Sequence, residues 1–149
     1  MNTDSKRSRI LIVDDEPLVL EIFASVLFDE GYRIEQAQSA VEALELLETN
    51  HYDALLSDVR LSPFDGFEIA QIARKRNPNL GVLLLTGAPE ESDIGRAQQL
   101  AMSYLVKPIG MDQLRSAVNQ LFRDGPIGSS SGKNLQSAVG TLRSQAAVE

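Results

Sequence analysis

Ile10-Leu11-Ile12-Val13-Asp14-Asp15-Glu16-Pro17 is the stretch from which the rest of the chain can be read. Four apolar residues without alternation indicate a short strand buried on both faces, as in a parallel sheet covered by helices. Two acids stand at its carboxyl end. Pro17 then suits the first turn of a helix, where its missing N–H is no loss. The same order, an apolar strand, a polar tip and a helix, recurs along the chain.

Pro17 to about Glu30 is the first predicted helix, stopped by Gly31. Arg33 to Gln36 is a weaker strand. Ser39-Ala40-Val41-Glu42 is a capping-box pattern opening a helix to about Glu48. Ala54 to Ser57 is the third strand, ending at Asp58. Asp65-Gly66 opens a helix to about Arg76, and Asn77-Pro78-Asn79 breaks the chain. Val82 to Leu85 is the fourth strand, ending at Thr86-Gly87. Asp93 to about Leu100 is a helix weakened by Gly95, by about 1 kcal/mol relative to Ala. Ser103 to Val106 is the fifth strand, ending at Lys107-Pro108. Met111 to Phe122 is the last helix, with apolar positions 111, 114, 118 and 121 on one face. Strand and helix alternating five times give an α/β, doubly wound parallel sheet. Such folds bind ligands at the carboxyl ends of their strands.

Composition narrows the chemistry. The 149 residues include no cysteine and one histidine, His51, so thiolate chemistry and multi-histidine metal sites are excluded. The net charge is −7. Residues 1–122 hold 11 basic and 19 acidic residues, hence −8, and residues 123–149 three and two, hence +1. An acidic body disfavours nucleic acid and anionic membrane, so no direct partner of either kind is expected. No apolar run approaches the roughly 20 residues of a membrane span. No export signal is read at the basic start, and a cytoplasmic protein is the simplest expectation. Gly125 to Gly132 has linker composition. Residues 123–149 are therefore expected to be a flexible tail. Leu135, Val139 and Leu142 allow a short helix at 134–143, marginal in isolation.

The strand tips carry the functional argument. Asp14, Asp15, Asp58, Thr86 and Lys107 would converge on one edge, with Tyr104 inside the fifth strand. Two like charges ~4 Å apart repel by about 4 kcal/mol at an effective dielectric near 20. A divalent cation with oxygen ligands relieves this. Mg²⁺ takes one or two carboxylates and phosphate oxygens readily. Lys107 can meet the same phosphate as a point charge, and Thr86 can donate a hydrogen bond to it. Asp14 and Asp15 are accounted for as ligands of the metal or its waters. Asp58, alone at its strand tip, is the candidate nucleophile for an aspartyl phosphate. Simpler roles compete: Asp15 as a helix cap, Thr86 as a turn cap, Lys107 as a surface lysine and Tyr104 as strand packing. His51, in a turn before a strand, is read as a surface residue. Ser131-Gly132-Lys133 is not a P-loop, because Ile127 stands where glycine is required and Asn134 where Ser or Thr is.

ILIVDDEP (10–17), LLSDVRL (55–61) with DG (65–66), LLLTG (83–87) and YLVKP (104–108), in this order, resemble the receiver domain of two-component response regulators. The chemotaxis response regulator is one such protein. The resemblance covers residues 9–122, leaving 1–8 as an N-terminal extension. It implies a flavodoxin-like (βα)5 fold with strand order 2-1-3-4-5. It also implies Asp58 as phosphoacceptor, with Asp14, Asp15, Asp58 and the backbone carbonyl of Arg60 holding Mg²⁺ or Mn²⁺. Lys107 and Thr86 would contact the phosphoryl group, and Thr86 and Tyr104 would form a switch pair. The Lys107–Pro108 bond would be cis. The donor would be a sensor histidine kinase or histidine phosphotransfer protein. The output would be a protein target on the face of helix 4, strand 5 and helix 5. Such a domain catalyses only its own phosphorylation and dephosphorylation. Two departures stand out. Ser62 occupies the place of a usual proline, with Pro63 one later, and Leu100 occupies the place of a glycine that closes helix 4. The alternatives are an aspartyl-phosphate-forming phosphatase, a flavin mononucleotide binder, or the receiver fragment of a longer regulator. Phosphatases of the haloacid dehalogenase type need Asp-x-Asp where Asp14-Asp15-Glu16 stands here. A flavin site needs a Ser/Thr/Gly-rich loop there.

Overall fold

In a computed structural model of the chain, residues 8–123 are described. Ten elements alternate without exception: β1 (Arg9–Val13), α1 (Pro17–Asp29), β2 (Arg33–Ala37), α2 (Ala40–Thr49), β3 (Ala54–Asp58), α3 (Gly66–Arg76), β4 (Gly81–Thr86), α4 (Glu91–Leu100), β5 (Ser103–Val106) and α5 (Met111–Arg123). The strands form one parallel sheet in the order 2-1-3-4-5, the flavodoxin-like arrangement. The chain moves outward from β1 to β2, then returns past β1 to β3. The reversal leaves a crevice between the tips of β1 and β3, where Asp14 and Asp58 emerge. The N-terminal extension and the C-terminal tail, with its candidate helix at 134–143, lie outside the described residues apart from Ser8 and Arg123.

Alternation along each strand builds two cores. Leu11, Val13, Leu55, Val82, Leu84, Tyr104 and Val106 pack beneath α2, α3 and α4. Ile10, Ile12, Leu56, Leu83, Leu85 and Leu105 pack against Leu20, Phe23 and Leu27 of α1 and Leu114 and Val118 of α5. This two-sided burial explains why the central strands lack alternation in sequence. β2 lies at an edge and is correspondingly polar.

The expected caps form. The Ser39 hydroxyl accepts from the Glu42 N–H at 3.1 Å, and Asp65 and Glu68 complete a capping box at α3. Asp15 does not cap α1: the N-cap is Glu16, without a side-chain bond, and Pro17 follows in the first turn. α4 starts at Glu91, two residues before the expected Asp93. Its end also differs from a glycine-closed helix. Leu100 stays helical and Ala101 takes the left-handed conformation, φ 55°. A non-glycine residue there costs about 1–2 kcal/mol. Arg74 offsets this by donating to the carbonyls of both Leu100 and Ala101. Burial lowers the pKa of this guanidinium to about 10. The Lys107–Pro108 bond is cis, as is Ser62–Pro63 in the loop that departs from the family pattern. No helix among the described residues is long and apolar enough to cross a membrane.

Candidate functional site

Asp14 follows β1, Asp58 ends β3 and Lys107 follows β5, so sheet register alone brings them to one edge. Carboxylate oxygens of Asp14, Asp15 and Asp58 lie within 4.8 Å of one another. Asp14 is buried, at 1 % exposure, while Asp15 is open to solvent. Lys107 Nζ stands 2.7 Å from Asp14 Oδ2 and 3.7 Å from Asp58 Oδ2. The second Asp14 oxygen accepts from the Glu16 N–H at 2.9 Å.

One ammonium does not neutralise three carboxylates. Burial pushes the Asp58 carboxyl above its ordinary pKa, Lys107 pulls it down, and Asp14 and Asp15 push it up. Lys107 is raised although burial opposes its charge, because the Asp14 hydrogen bond and the charges of Asp58 and Asp14 outweigh that penalty. An all-oxygen donor set with surplus negative charge at a crevice mouth fits Mg²⁺. Asp14, Asp15 and Asp58 are the residues that fit it.

Two glycine and hydroxyl details hold the site. A Cβ on Gly66 would lie 2.5 Å from the Asp58 carbonyl oxygen and 3.1 Å from Ser57 Oγ. Glycine is therefore needed where α3 begins under the phosphoacceptor candidate. Thr86 is fully buried, and its Oγ1 accepts from the Ala88 N–H at 3.0 Å, so it caps the turn after β4. Tyr104 is 2 % exposed. Its ring lies inward against Phe67, centroids 6.4 Å apart, and its hydroxyl donates to Asp93 Oδ2 at 2.5 Å. His51 precedes β3, at the opposite edge of the sheet, and is exposed beside Asp53. Sequence reading missed two groups. Asp93 is read in the sequence only as the start of a helix, yet it is 1 % exposed. The Arg60 side chain, expected only to lend a backbone carbonyl, pairs with Asp93 and donates to the Ala88 carbonyl at 3.0 Å. Their separation along the chain leaves no local signal for either contact.

Residues 10–119 match the family described as the response regulator receiver domain. The chain is similar to the alginate biosynthesis transcriptional regulatory protein AlgB of Pseudomonas aeruginosa, 37 % identical over 116 residues, 77 % of this chain and 26 % of that protein. It is 34 % identical over 120 residues to the transcriptional regulatory protein TcrA of Mycobacterium tuberculosis, 80 % of this chain and 47 % of that one. The chain thus spans between a quarter and a half of these relatives. Among solved structures, it resembles the response regulator TrrA of Thermotoga maritima in complex with Mg²⁺–BeF, with TM-score 0.69, 32 % identity, and coverage of 77 % of this chain and 99 % of that one. It also resembles a CheY-like receiver domain protein of Methanospirillum hungatei, with TM-score 0.70, 26 % identity, and coverage of 80 % and 99 %. Phosphorylation and Mg²⁺ are typical of this family. The chain belongs to the response regulator receiver domain family of two-component systems.

Proposed function

We propose that this domain is a phosphorylation-dependent switch that accepts a phosphoryl group on Asp58. The observation that carries the reading is the carboxylate triad with Lys107 reaching both Asp14 and Asp58. The donor is a phosphohistidine on a sensor kinase or histidine phosphotransfer protein in the cytoplasm. An Asp58 oxygen attacks phosphorus, the P–N bond breaks, and the imidazole leaves with a proton. Asp14, Asp15, Asp58 and the Arg60 backbone carbonyl would hold Mg²⁺, which would supply positive charge to offset that of the phosphoryl group. Lys107 exchanges its Asp14 contact for the phosphoryl group. Thr86 gives up its role as a turn cap and donates its hydroxyl to the new oxygens. The output is a protein target on the α4–β5–α5 face.

The test is labelling by a small acyl phosphate with Mg²⁺. Wild type takes up a hydroxylamine-labile phosphoryl group, while Asp58→Asn and wild type in excess chelator do not. Undiminished labelling in chelator overturns the reading. A second reading concerns extent: the length of the relatives favours this chain as the receiver portion of a longer regulator.

A further inference from the structure

Asp93 Oδ2 receives three donors. The Tyr104 hydroxyl lies at 2.5 Å, the Glu90 N–H at 3.0 Å, and the Arg60 guanidinium completes the set. The carboxylate side chain is 2 % exposed and that of Arg60 28 %. The Arg60 Nε also donates to the carbonyl of Ala88, whose own N–H is held by Thr86 Oγ1. One helical turn on, Arg96 pairs with Asp65 at 2.9 Å. The same guanidinium covers Phe67 at 4.5 Å, and the Phe67 ring lies against Tyr104. The loop after Asp58 is therefore tied to α4 at both ends by ion pairs of opposite sense, with the Tyr104 ring enclosed between them.

We propose that Asp93 is a positioning residue: it holds Tyr104 inward and, through Arg60, couples that ring to the loop bearing the phosphoacceptor. Arg60 is two residues beyond Asp58, and its backbone N–H favours the charged form of that carboxylate. The loop path that presents this N–H is the one that carries the guanidinium to Asp93. An occupied Asp58 that fixes the loop favours the inward tyrosine. By reciprocity, the inward tyrosine favours occupancy. The latch gives the site a route to the α4–β5–α5 face beside that of Thr86, and it rests on Asp58 as the acceptor.

The chain has three tyrosines, Tyr32, Tyr52 and Tyr104, so fluorotyrosine NMR assigned by Tyr→Phe variants resolves the ring in question. Beryllofluoride with Mg²⁺ serves as the phosphoryl mimic. In wild type the Tyr104 resonance is solvent-shielded without ligand. In Asp93→Ala it moves to a solvent-exposed position, and beryllofluoride binds about 5- to 20-fold more weakly. Added beryllofluoride returns part of the resonance. Asp93→Asn, which keeps the shape and an acceptor oxygen but loses the Arg60 charge pair, lies between, and it carries the test if Asp93→Ala fails to fold. A shielded Tyr104 resonance together with wild-type beryllofluoride affinity in Asp93→Asn overturns the latch. If wild type binds no beryllofluoride, the phosphoacceptor reading fails instead, and the ligand-free resonance still decides the latch.

Discussion

Asp58 lies close to two other carboxylates and, among the described residues, to one ammonium, and burial raises its pKa first of all. A carboxyl group with a raised folded-state pKa costs stability when ionised. That cost is present above the folded pKa and is relieved as pH falls through it. Asp58→Asn removes the charge and keeps the shape. In chelator at neutral pH we expect it to raise stability by on the order of 1 kcal/mol, read from thermal unfolding. Mg²⁺ should then raise the melting temperature of wild type by mass action and that of Asp58→Asn much less. An equal Mg²⁺ shift in both proteins would remove Asp58 from the metal set. Tyr104 shows the same dependence on neighbours: burial and the Asp93 hydrogen bond both raise its pKa, so its hydroxyl stays a donor.

At the scale of elements, α3 is positioned by absence of a side chain. Gly66→Ala places a methyl group 2.5 Å from the Asp58 backbone oxygen, which is not a flexible partner. The expected result is a loss of about 1–3 kcal/mol in stability, as for overpacking, with slower phosphoryl uptake. Wild-type uptake and stability would show that the α3 start yields freely. The Asp65-Gly66 pair was visible in sequence as a helix start, but the reason for its glycine was not. The strands were legible because burial on both faces leaves unbroken apolar runs such as Leu83-Leu84-Leu85, and their tips followed. α4 was the least legible element. Its start is set by Asp93, whose carboxylate accepts from the Glu90 N–H, and its end by Arg74, 26 residues distant from Leu100. Neither leaves a periodic pattern. Tyr104 was marked as a switch residue, but its resting place depends on Asp93 and Phe67, which only the fold brings beside it.

For the whole molecule, the two-sided sheet is closed before residue 124. Tyr32 stacks on Phe122 with centroids 5.3 Å apart, and its hydroxyl donates to Asn119, joining the segment after α1 to α5. A chain ending at residue 124 is expected to keep the melting temperature and phosphoryl uptake of the full chain. A fall of about 4 °C, equivalent to roughly 1 kcal/mol for a domain of this size, would mean that residues 125–149 pack on the domain.

The central claim is the identity of the residue that carries the phosphoryl group. Wild-type protein exposed to an acyl phosphate with Mg²⁺ is reduced with borohydride, which converts an aspartyl phosphate to homoserine. Peptide mass spectrometry then locates the change. Homoserine at position 58, absent from the chelator control, is the expected result. Homoserine at position 14 or 15, or a phosphoryl group that survives on a serine or threonine, would contradict it.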